Sequence, residues 1–157
     1  MSIKPIAQLA IGIGVLLGVG ILTVESGYTD EKEHHENTCT LATLNGRYLF
    51  VVNGTYFPPA AGVTMQSLFD RTGSRIFFGD GTGTTIARES VNGVIRPTDL
   101  HSDLSYTVNS DCTGTLKILS VGATSEIFVA PSGDSMTVIA TDNGHVEAYS
   151  SWRVGPE

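Results

Sequence analysis

The stretch SEIFVAPSGDSMTVIATDNGHVEAYSSWRV, residues 125–154, decides the fold class. It holds three runs, at 125–130, 136–141 and 145–154, rich in Val, Ile, Thr, Phe and Tyr. Successive side chains of a strand point to opposite faces, so alternation at period two with β-branched and aromatic residues reads as strand. The separators Pro131-Ser132-Gly133-Asp134 and Asp142-Asn143-Gly144 carry turn chemistry. Pro presets φ, Gly admits positive φ, and Asp and Asn satisfy the backbone locally. Two successive hairpins follow, and with them three antiparallel strands.

The pattern extends back to Cys39. Residues 47–53 place Tyr48, Phe50 and Val52 on one face, and 63–69 place Val63, Met65 and Phe69 together. A run at 74–78 follows a turn read at Arg71-Thr72-Gly73, and one at 84–91 follows Gly79-Asp80-Gly81-Thr82-Gly83. Leu104, Tyr106 and Val108 alternate in 104–109, and 115–119 follows Asp111-Cys112-Thr113-Gly114. No long segment has helical periodicity. The expectation is all-β: an up-and-down antiparallel barrel of about eight strands, because closure removes exposed strand edges. Its interior would hold side chains or one small ligand. A two-sheet β-sandwich is the competing solution. The longer connections at 54–62, with Pro58-Pro59, and at 96–103 suit the cover of one barrel mouth.

Upstream, Pro5 to Val24 has no charged side chain, and acidic sequence begins at Glu25. This reads as an N-terminal hydrophobic helix over 1–26, a signal peptide or a membrane anchor. Val24 and Ser26 suit cleavage before Gly27, whereas Gly14 and Gly18 have a GxxxG spacing that packs helices in lipid. Either outcome exports an acidic, flexible linker at 27–38 and a β-domain at 39–157. The net charge is −7 and the basic residues are scattered. Without a basic stripe, nucleic acid is excluded as the natural partner, and contact with a membrane is expected only through 1–26. Two cysteines in an exported chain, Cys39 and Cys112, read as a disulfide. Closing so long a loop is worth about 4 kcal/mol in the entropy model.

Chemistry-bearing patterns are sparse. His34-His35 sits in a solvated acidic linker, with no third ligand at a metal-site spacing. His101 and His145 are isolated, and His145, after a turn, is expected to be exposed. Gly79-Asp80-Gly81-Thr82-Gly83 precedes a strand and lacks a Lys, so it is a turn and not a phosphate loop. No Gly-x-Ser-x-Gly elbow exists. Charged residues inside strands are more informative. Arg88 and Glu89 are adjacent, so one of them faces inward. Glu126 shares a face with Phe128, Glu147 with Tyr149 and Arg153, and Gln66 with Leu68. An inward carboxylate in an apolar barrel would have a raised pKa and act as acid or base. Arg88, Glu126, Glu147 and Gln66 are therefore the candidates for the polar end of a site. Tyr48, Phe50, Phe69, Tyr106, Phe128, Tyr149 and Trp152 are the expected ligand-binding wall, since core wall and ligand wall coincide in a small barrel. No metal or cofactor is expected.

The stretches Cys39-Thr-Leu-Ala-Thr-Leu-Asn-Gly-Arg-Tyr-Leu-Phe50 and Tyr106-Thr-Val-Asn-Ser-Asp-Cys-Thr-Gly-Thr-Leu116, with the ending Phe128-Val-Ala-Pro-Ser-Gly133, resemble a group of small exported bacterial β-domain proteins. That group pairs a CxLAxLxGxY start with a YTVNxDCTGT middle and is largely without assigned function. The resemblance implies the disulfide and the β-domain. In size and strand order the chain is more loosely similar to allene-oxide-cyclase-like barrels, among them small bacterial spirotetronate cyclases. That likeness implies a cofactor-independent Diels–Alder-type closure of a polyketide chain, in which the barrel acts as an entropy trap. No catalytic motif of those enzymes matches residue by residue.

The expectation is an exported barrel that holds a small hydrophobic molecule. It would act as a cyclase or isomerase, or as a lipocalin-like carrier. An envelope interaction domain with a filled core is the third reading.

Overall fold

A computed structural model describes residues 38–155 of the chain. The leader expected at 1–26 and the linker up to residue 37, with His34 and His35, lie outside the described residues. The described residues form nine strands: β1 (Asn45–Tyr56), β2 (Ser67–Phe78), β3 (Thr82–Val91), β4 (Val94–Ile95), β5 (Leu100–Val108), β6 (Thr113–Ile118), β7 (Ala123–Val129), β8 (Ser135–Ala140) and β9 (His145–Arg153). All pairings are antiparallel, in the order β2-β1-β9-β8-β7-β6-β5-β3-β4, and β2 also pairs with β3. That last pairing closes an eight-strand barrel, with β4 as a short extra strand on β3. One closed sheet replaces the sandwich alternative. Among the described residues no helix is long and apolar enough to cross a membrane.

The turn expected at Arg71-Thr72-Gly73 is corrected: β2 runs straight through it, pairing Arg71 with Val52 and Gly73 with Phe50. A Cβ on Gly73 would lie 2.1 Å from the Ile86 carbonyl oxygen and 2.8 Å from the Ala87 Cα. The glycine serves close approach of β3, a role glycine also plays inside strands. The strand expected at 63–69 begins only at Ser67, and Met65 is exposed. The turn read at Gly79-Asp80-Gly81 is present. Asp80 Oδ1 accepts hydrogen bonds from the Thr82 N–H (2.9 Å) and hydroxyl (2.6 Å).

Alternation sorts the side chains, and the interior divides into two buried clusters. One holds Leu44, Tyr48, Phe77, Leu104, Tyr106 and Leu116 with inward residues of β7 and β8. Phe77 meets Tyr48 and Tyr106 edge to face, with ring centroids 5.2 and 5.0 Å away. Buried hydroxyls need partners. Here Tyr106 donates to the carbonyls of Leu41 (3.1 Å) and Leu44 (3.0 Å), and Tyr48 donates to that of Gly133. The short helical turn Leu41–Thr43 thus closes this end like a stopper. Cys39–Cys112, with Cα atoms 5.0 Å apart, ties the chain entering the stopper to the β5–β6 turn. The second cluster is smaller: Phe50, Val52, Tyr56, Phe69 and Ala87.

Candidate functional site

At the end opposite the stopper the barrel is hollow. Inward positions there are small or polar: Thr85 and Ala87 on β3, Ser102 on β5, Ala123 and Ser125 on β7. They leave a cavity of about 560 Å³. Leu116 and Ile118 supply apolar wall, while Phe50 and Tyr149 reach it from β1 and β9. Both long connections contribute to its rim, through Ala60 and Arg96.

A charged network crosses the cavity. Arg71 Nη2 donates to Glu89 Oε1 at 2.7 Å and also to the Tyr56 hydroxyl oxygen. Tyr56 donates to the same Glu89 oxygen at 2.6 Å. Arg96 Nε reaches Glu89 Oε2 at 2.7 Å, and Arg71 Nη1 lies 3.7 Å from Glu147 Oε2. The Glu89 side chain is only 3% exposed. Burial works to raise its pKa, but the hydrogen bonds from Tyr56 and Arg71 and the charges of Arg71 and Arg96 outweigh that, and the carboxyl is held below the ordinary Glu value. Glu89 is therefore a fixed anion at neutral pH, opposite to the raised carboxyl expected of an inward acid. Burial pushes the Tyr56 hydroxyl well above the usual phenol range, against the pull of the Arg71 charge. Tyr149 is likewise raised by burial, with Arg75 opposing. Both phenols stay neutral donors.

Arg75 stands deeper. It is 4% exposed and lines the cavity, its guanidinium carbon 4.2 Å from the Phe50 ring centroid and 5.3 Å from that of Tyr149. At the mouth, His145 lies 3.9 Å from Asp142, with its ring 5.0 Å from that of Tyr56. It is half-buried at the cavity, not the exposed turn residue expected.

Of the residues singled out from sequence, Glu147, Phe50 and Tyr149 come together at the cavity. Phe69 is buried beside it, stacked on Tyr56 at 4.2 Å. The others stand elsewhere. Tyr48 and Tyr106 belong to the stopper cluster. Phe128 and Trp152 are on the outer surface, 52% and 44% exposed, because Ile127 and Ser151 take the inward parity on their strands. Glu126 points outward with Phe128 for the same reason. Arg88 also points outward and pairs with Asp99, since its neighbour Glu89 holds the inward position. Gln66 is exposed just before β2, and His101 is exposed on β5.

The residues that sequence reading missed are Tyr56, Arg71, Arg75 and Arg96, and of the adjacent pair Arg88 and Glu89 it put forward Arg88, whereas Glu89 is the inward one. A signal existed for two of them. Phe69, Arg71, Gly73, Arg75 and Phe77 keep one parity, so reading 67–78 as one strand puts both arginines inside. Among the described residues no group of three or more His, Cys, Asp or Glu is placed to hold a metal ion. Compared with known proteins, the chain matches no family model and no curated protein sequence.

Proposed function

We propose that the protein is a small-molecule binding barrel whose hollow end takes up a compact amphipathic molecule without covalent chemistry, in the manner of a carrier. One observation carries this reading: a cavity of about 560 Å³ at one end of a barrel whose other end is solid. Ligand sites commonly span about 300–1,000 Å³, with apolar walls and a few fixed polar groups. Leu116, Ile118 and Ala87 are such walls, and Arg71, Arg75 and Glu147 are such groups. A filled-core interaction domain fits the stopper end alone.

Export belongs to the same proposal. The Cys39–Cys112 disulfide fits an oxidising compartment, in keeping with the resemblance to small exported β-domain proteins. A templated ring closure is the second reading. It is favoured by the neutral Tyr149 hydroxyl beside the cavity, where a flexible chain could be held in reactive shape.

Titration of the full-length protein with Nile red, a neutral lipophilic dye, tests the binding reading. Saturable fluorescence gain is expected. Ser125→Trp, which fills the cavity from β7, should weaken it at least about tenfold, a loss of ~1.4 kcal/mol. Equal binding by the filled variant would remove the cavity as the site. Consumption of a linear polyene on incubation, read by its absorbance, would favour the cyclase over the carrier.

A further inference from the structure

We propose that Arg75 is the anchor for an anionic head group and that the natural occupant is an amphipathic monocarboxylic acid. This rests on the reading of the hollow end as a binding pocket and names the class of molecule that fits it.

Arg75 carries an unmatched charge. Arg71 is paired with Glu89 and Glu147, and Glu89 with Arg71 and Arg96. Arg75 forms no ion pair among the described residues, and its Nε and Nη1 have no hydrogen-bond partner. Its cation–π neighbours, Phe50 and Tyr149, attract the charge but do not neutralise it. A buried cation without a counter-charge is strongly unfavourable, and such groups are normally paired. The acids that face the cavity are engaged elsewhere: Glu89 and Glu147 with Arg71, Asp142 near His145 at the mouth.

A ligand carboxylate supplies what Arg75 lacks, because its planar pair of oxygens matches a guanidinium edge. The tail would then run along Ala87, Leu116 and Ile118 towards the mouth. The remaining charges narrow the class. Glu147 Oε2 also lacks a hydrogen-bond partner and, with Glu89, repels a second negative charge, so a monoanion fits better than a phosphate dianion. Arg71 and Arg96 disfavour a cationic head.

Calorimetric titration of the full-length protein at neutral pH with decanoate and with decanol tests the assignment, with Nile red as the control for the pocket itself. Decanoate should bind at least about tenfold more tightly than decanol. Arg75→Gln should abolish that preference by weakening decanoate alone. Arg75→Lys, which keeps the charge, should retain part of it, and this variant decides the matter if the glutamine variant fails to fold. Equal binding of acid and alcohol by the wild type, or a preference that survives Arg75→Gln, overturns the Arg75 assignment and leaves the pocket standing. Failure of Nile red, decanoate and decanol alike overturns the pocket, and the assignment with it.

Discussion

The two ends of this barrel are built from the same strands and the same alternation, yet one is solid and the other hollow. β2 shows the contrast within a single strand. Phe77 packs edge to face between Tyr48 and Tyr106 in the stopper, while Arg71, on the same face, spans a cavity and meets Glu89. At the closed end the inward side chains are bulky, and their hydroxyls are satisfied by backbone carbonyls. At the open end the facing positions are Thr85, Ala87, Ala123 and Ser125, too small to meet across the bore. Polar demand there is met by paired, charged side chains instead of by the main chain. The closed end is packed as a core, and the open end is where a bound molecule is proposed.

The contrast breaks most visibly at Phe77. Phe77→Ala removes the centre of the stopper and should cost about 4 kcal/mol, the usual range for a buried aromatic. Urea unfolding measures the loss, and Nile red affinity of the folded fraction should hardly change. A large fall in affinity would mean that the two ends are not separate.

Glu89→Gln should cost less, about 3 kcal/mol at neutral pH, because it leaves the buried Arg71 short of its main partner. The pH dependence sharpens this. The Glu89 carboxyl is depressed in the folded state, so its contribution is complete above the unfolded value of about 4.3 and is lost as pH falls through the lower folded value. The stability gap between wild type and variant should therefore close on acidification. A gap that widens below about pH 4 would contradict the network.

Arg88→Gln and Glu126→Gln should do least, each within about 0.5 kcal/mol and without effect on dye binding, since both side chains face outward. A binding defect in either would return the site to residues that the barrel places outside.

Most of the strand plan was legible in the sequence because hairpin turns and period-two runs are local signals. The runs at 47–53, 84–91, 115–119 and 145–154 each lie within or against an observed strand. The site was less legible, for two reasons. Arg71-Thr72-Gly73 has turn composition, which masked the shared parity of 69–77 and hid the inward arginines; the approach of β3 to Gly73 explains the glycine inside the strand. Parity was also ambiguous where apolar residues fall on both faces. Ile127 and Phe128 compete for the interior and Ile127 takes it, and on β9 the run His145, Glu147, Tyr149 forces Trp152 outward. Charge matching across strands, which made Arg75 stand out, appears only once the register is known.

The central claim is that a ligand enters one end and only that end. Mapping backbone amide shifts by NMR during a Nile red titration tests it most directly. Saturable shifts are expected at Phe50, Leu116, Ser125 and Tyr149, with Tyr48, Phe77 and Tyr106 unmoved. Shifts centred on the stopper residues, or on the outer face around Phe128 and Trp152, would contradict it.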